Sequence, residues 1–191
     1  MRFSIDVLHP TLALISLSLS LTTDSADKSF TPVNIKDLWQ TPKEVFDKLD
    51  GEFDFDCDVA ASDLNSLCES YLGEDINAIS EYARWGRVNW CNPPYSNISP
   101  WVEKAIQQHQ AGKTIVMLVP ADTSVKWFKL AYESCNEVRF ISGRLSFINA
   151  DTQKPVNGNN KGSVLFIWRA NAPKNSHTVT LINRDDFYIG V

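Results

Sequence analysis

Hydrophobic and polar positions change period repeatedly along the chain, and the changes mark out alternating helices and strands. Residues 43–49 put Val45, Phe46 and Leu49 on one helical face. Thr41, Pro42 and Glu44 suit the start of that helix as N-cap, first helical residue and capping-box partner. Residues 52–59 alternate Phe53, Phe55, Cys57 and Val59 with acidic residues, the period of a strand. A short helix over 63–70 and a short strand over 69–73 follow. Residues 87–91 read as a buried strand. Residues 100–110 read as a helix with Trp101, Ala105 and Ile106 inward, ended by Gly112. Ile115, Val116, Met117, Leu118 and Val119 form an unbroken apolar run, as expected of a parallel strand covered on both faces. Residues 124–134 are helical and 137–141 a strand. Residues 143–147 lead into a strand that pairs with 163–169 as a hairpin across the polar loop 149–162. Residues 179–182 add an edge strand. The alternation implies an α/β domain.

One stretch organises this pattern. Asn92-Pro93-Pro94-Tyr95 follows the strand at 87–91, and its prolines end the strand and remove two N–H donors. Pro94 also keeps Pro93 out of the helical region, so the turn is stiff and extended. It lies at the carboxyl end of a strand, where open α/β sheets bind ligands. The Asn92 side-chain oxygen and the Pro93 carbonyl are two acceptors able to take both hydrogens of a planar –NH2 group. Tyr95 offers a ring that can stack on a planar base or amide.

Charge divides the chain. Residues 1–100 carry a net −9 and residues 101–191 a net +4, for −5 overall. The basic half can present a positive face although the whole is acidic. The four cysteines, Cys57, Cys68, Cys91 and Cys135, include no CxxC pair, and His9, His109 and His177 are scattered, so no metal site is expected. Length and 43% apolar content are those of one domain with a real core. Residues 8–21 are apolar apart from serine, threonine, histidine and proline, like a weak signal-peptide h-region, but too short to span a bilayer. Arg2 is offset by Asp6 and no clear A-x-A site follows. Residues 1–35 are therefore read as a leader or disordered extension, and 36–191 as a single domain.

Five segments now stand in order between residues 37 and 168: W-Q-T-P at 39–42, D-V-A-A-S at 58–62, Glu74-Asp75, N-P-P-Y at 92–95 and G-R-L-S-F at 143–147. Together they resemble the bacteriophage Dam-type DNA N-6-adenine-methyltransferases. The resemblance implies a Rossmann-like class I methyltransferase sandwich, with a mostly parallel seven-stranded sheet ending in a β-hairpin. It implies S-adenosylmethionine as methyl donor and double-stranded DNA as partner, with no metal, no membrane and no obligate protein partner, in the cytoplasm. It makes Asn92, Pro93, Pro94 and Tyr95 catalytic. It assigns Trp39, Gln40, Thr41, Pro42, Asp58, Ala60, Ala61 and Asp75 to the cofactor. The glycine-rich first loop of most methyltransferases is missing, and Ala60 and Ala61 stand in its place. Arg144, Lys154, Asn157 and Lys161, in the basic half, are the candidate DNA contacts. Two alternatives stay open on sequence alone: another amino-methyltransferase, acting on cytosine N4 or a protein glutamine, or an inactive fold that only binds DNA.

Overall fold

The alternation of apolar positions in the central strands decides how the layers form. In the computed structural model, which describes residues 37, 39–156, 161–173 and 175–189, the elements run β1 (Trp39–Gln40), α1 (Lys43–Phe53), β2 (Cys57–Asp58), β3 (Val88–Cys91), α2 (Ser99–Gln110), β4 (Thr114–Pro120), α3 (Lys126–Ser134), β5 (Glu137–Ser142), β6 (Ile148–Asn149), β7 (Ser163–Trp168) and β8 (Thr178–Asn183). Two single-turn 3-10 segments lie at Glu74–Ile76 and Arg184–Phe187. The leader at 1–35 and the candidate DNA contact Asn157 lie outside the described residues.

Along β4 and β7 successive side chains point to opposite faces. Ile115, Met117, Val119, Val164, Phe166 and Trp168 join Val102 and Ala105 of α2 and Phe128 and Ala131 of α3 in one core. Val116, Leu118, Leu165 and Ile167 join Val45, Phe46, Leu49 and Phe53 of α1 in the other. A six-stranded sheet is thus covered by α2 and α3 on one side and α1 on the other. All six residues of β7 are buried, which explains its unbroken apolar run.

The sheet order is β2-β3-β4-β7-β5-β8. β2, β3 and β4 are parallel neighbours, β7 is antiparallel to both β4 and β5, and β8 is parallel to β5. Among the described residues, six strands therefore stand where the resemblance implied seven. Beyond β2 the sheet continues, among the described residues, only as an isolated parallel bridge between Asp58 and Tyr71. The expected hairpin of the strand after residues 143–147 with 163–169 is not formed; the antiparallel pair there is β5 with β7, Glu137 opposite Ile167 and Ile141 opposite Ser163. It does not end the sheet, because β8 adds outside β5 from Glu137↔Thr178 to Ser142↔Asn183. The strand after Gly143 turns away instead. β6 pairs with β1, Trp39 opposite Asn149 and Gln40 opposite Ile148. Gly143 makes that departure possible: its φ is +92°, and a Cβ there would sit 3.1 Å from the Arg184 Cβ.

Three local expectations are corrected. Residues 52 and 53 belong to α1, which ends at Asp54 in the left-handed region (φ 55°). Asp50 holds this end, its carbonyl accepting from Asp54 N at 2.8 Å and its Oδ1 from Phe55 N at 2.8 Å. Strand β2 is accordingly only two residues long. Residues 63–70 form turns and bends, because side chains take the backbone donors: Asn65 Oδ1 accepts from Ser62 N and Asp58 Oδ2 from Leu67 N. Finally, Pro42 rather than Thr41 is the N-cap of α1, with no side-chain capping bond, and the Thr41 hydroxyl is left for other use. Among the described residues no helix is long and apolar enough to cross a membrane.

Candidate active site

Parallel strands β2, β3, β4, β5 and β8 all end on one edge, and β7, running the other way, begins there. The turn 92–95 lies on this edge after β3, and the loop starting at Asp58 lies beside it after β2. The β1–β6 pair brings Trp39, Gln40 and Thr41 over the same edge. Between them is a cavity of about 440 Å³ bordered by Trp39, Gln40, Thr41, Asp58, Ala60, Ala61, Asn92 and Pro94.

Asn92 is anchored in one orientation. Its Nδ2 donates to the Trp39 carbonyl at 3.0 Å, and a carbonyl can only accept, so Oδ1 faces the other way. That oxygen is buried without a partner. So are Trp39 Nε1 and Thr41 Oγ1, both on residues that border the cavity. An unpaired buried polar group costs about 1–3 kcal/mol. One acceptor, one donor and one hydroxyl of this kind around one cavity are the marks of a site built for a polar ligand.

Asp58 is 4% exposed. Burial pushes its carboxyl up to about 6, against the pull of the Leu67 and Ala60 N–H groups that it accepts at 3.2 and 3.3 Å. It shapes the wall: its backbone also bonds Ser70 O and Leu72 N, so residues 58–72 close one side of the cavity. Asp75 stands outside this wall. It is exposed, and its Oδ1 lies 2.9 Å from where a Cβ on Gly73 would be, so it covers Gly73, which does border the cavity. Tyr95 packs edge-on against Trp39 (6.5 Å, 78°) and Phe147 (6.0 Å, 86°), its hydroxyl buried and unpaired and its phenol raised by burial. Pro93 is buried beneath the turn.

Residues 28–189 match the family model of DNA N-6-adenine-methyltransferase (Dam). The chain belongs to this family. It is 41% identical to the DNA N-6-adenine-methyltransferase of Escherichia phage T1 over 73% of this chain and 65% of that protein. It is 38% identical to the DNA N-6-adenine-methyltransferase of Haemophilus phage HP1 over 78% of this chain and 88% of that protein. No solved structure gives a significant match. Residues of segments 39–42, 58–62 and 92–95, which carry the sequence resemblance, meet at one cavity, although they lie on three separate elements.

Of the candidate DNA contacts, Arg144, Lys154 and Lys161 lie on the connection between β5 and β7, which leaves this edge. Arg144 and Lys154 are exposed. Lys161 pairs with Asp122, whose carboxyl is lowered to about 2 by that bond and by Ser124. Several cavity residues carry no motif signal. Trp101, in the first turn of α2, reads as a core position from its spacing but borders the cavity. Ala150 and Asp151 reach it because β6 is tied to β1, a pairing that no local pattern announces. Among the described residues, no group of three or more His, Cys, Asp or Glu is placed to hold a metal.

Proposed function

We propose that this Dam-family protein transfers a methyl group from S-adenosylmethionine to the exocyclic N6 amine of adenine in double-stranded DNA. The observation that carries the reading is Asn92: its amide is pinned by Trp39, and its unpaired oxygen is held at the strand end beside a polar-lined cavity. When bound, S-adenosylmethionine supplies an electrophilic sulfonium methyl. Trp39 Nε1 and Thr41 Oγ1 are the orphaned groups available to hold its polar end, and Ala60 and Ala61 let it approach the backbone closely.

The chain's own residues deal with a weak nucleophile, because the lone pair of the adenine amine is conjugated with the ring. The base leaves the duplex to reach the turn. Asn92 Oδ1 and the Pro93 carbonyl accept its two N–H bonds and stabilise the positive charge that grows on nitrogen. Tyr95 stacks on the base. Asp58 keeps the opposite wall in place through Ala60 and Leu67. Arg144, Lys154, Asn157 and Lys161 contact DNA from the β5–β7 connection, and Asp75 helps to hold the cofactor from the rim. Residues 1–35 are taken as an extension ahead of the domain, with the family match beginning within them at residue 28, and the enzyme works in the cytoplasm, where its methyl donor is found.

Incubation with tritiated S-adenosylmethionine and duplex DNA, followed by digestion to nucleosides, tests the reading. Label in N6-methyladenine is the expected result. Label in cytosine or in protein, or cofactor binding without any transfer, refutes it.

A further inference from the structure

Asp37 lies outside both W-Q-T-P and N-P-P-Y, yet it borders the cavity and touches the catalytic turn. Its Oδ1 accepts from the Ser96 backbone N–H at 2.9 Å. Ser96 directly follows Tyr95. The turn is poor in donors, because Pro93 and Pro94 have none and Asn97 N reaches Pro94 O only at 3.4 Å. Among the described residues, two bonds therefore hold it to Trp39 and Asp37. Asn92 Nδ2 ties its near end to Trp39 O, and Ser96 N ties its far end to Asp37. The Trp39 ring meets Tyr95 between the two ties. A carboxylate accepting a backbone N–H forms a bond of the stronger, charge-assisted kind.

We propose that Asp37 is a positioning residue which, through the Ser96 amide, fixes Tyr95 relative to Asn92 and makes the turn's geometry depend on the cavity-lining segment 37–41. The proposal rests on the methyltransferase reading above. The role needs an acceptor oxygen at this position and does not need the negative charge. An amide therefore serves, and a methyl group does not.

The test uses the full chain, tritiated S-adenosylmethionine and duplex DNA in single-turnover assays with both at saturation. Asp37→Ala is expected to slow transfer about 10- to 100-fold, the range caused by small misplacement of reacting groups. Cofactor affinity by calorimetry should stay within about threefold, so that the loss falls on the rate and not on binding. Asp37→Asn should restore the rate to within about threefold of the unmodified protein. Hydrogen exchange adds a second readout. The Ser96 amide should be protected in the unmodified protein and in Asp37→Asn, and exchange at least about tenfold faster in Asp37→Ala. An Asp37→Asn variant as slow as Asp37→Ala overturns the proposal. So does a loss confined to cofactor affinity, or an unprotected Ser96 amide in the unmodified protein. This last measurement decides the matter even if Asp37→Ala does not fold. An unmodified protein that places no label in DNA defeats the methyltransferase reading instead, and Ser96 exchange then still tests the tie itself.

Discussion

Replacing Asn92 by alanine separates catalysis from stability, because the side chain makes one bond and leaves one oxygen free. In the proposed mechanism, losing Oδ1 removes an acceptor that works only as positive charge develops on the amine. Such a loss costs about 3–4 kcal/mol of barrier, or roughly 100- to 1,000-fold in rate. The stability terms nearly cancel. The Nδ2 bond to Trp39 O, 3.0 Å long, contributes about 1 kcal/mol, and its loss leaves a part-buried carbonyl unpaired. Against this, the substitution also removes the buried, unpaired Oδ1, itself worth about 1–3 kcal/mol of desolvation. Urea melts should therefore move by no more than about 1–2 kcal/mol while single-turnover transfer collapses. Cofactor titration by calorimetry should remain close to that of the unmodified protein. Transfer within tenfold of normal, with the label still in adenine, would refute the assignment of Asn92 as the amine acceptor.

Thr41→Val keeps the shape and removes an unpaired hydroxyl, so the cofactor-free protein should be no less stable, while calorimetry shows affinity reduced by about 1–2 kcal/mol. Asp58 has a folded pKa raised from 3.8 to about 6 by burial, so the native state holds its proton more tightly than the unfolded chain. Stability should therefore fall as pH rises from about 4 to about 6, by an amount on the order of 1–3 kcal/mol, and Asp58→Asn should flatten that slope in urea melts. Phe53→Ala should cost about 3–5 kcal/mol in thermal melts, because the ring is 8% exposed, stacks on Phe55 at 5.6 Å and lies under Arg169 at 4.5 Å. Replacing Lys154 and Lys161 together by alanine should weaken all DNA sequences alike. The salt slope should fall by nearer one unit than two, because Asp122 already offsets the Lys161 charge; an unchanged slope excludes both lysines from the interface.

Most of the local elements and the chemical groups were legible in the chain, the end of α1 and residues 63–70 excepted. The short apolar run at β4, bounded by Gly112 and Pro120 and rich in β-branched residues, reads as a strand covered on both faces, and β7 is likewise buried throughout. Two prolines after β3 end it in a stiff turn, and the chemistry of Asn92 and Pro93 offers two acceptors there. Patterns of this kind are local, and a few residues suffice to state them. Who pairs with whom is not local. Both β5 and β6 are candidate partners for β7, and only the competition for one sheet edge puts β5 there and sends β6 to β1. Helix α1 outlasts its apparent boundary: Phe53 is buried in the core beside Phe55, and the helix ends only at the left-handed Asp54. Thr41 misses its capping role because the chain places its hydroxyl, buried and unpaired, at the cavity. Asp37, Trp101, Ala150 and Asp151 have ordinary neighbours in sequence, and they join the site only because tertiary packing brings four distant segments to one strand edge. Burial of apolar surface decided the layers of the core, and its gain depends on the whole fold, so no single stretch of chain contains it.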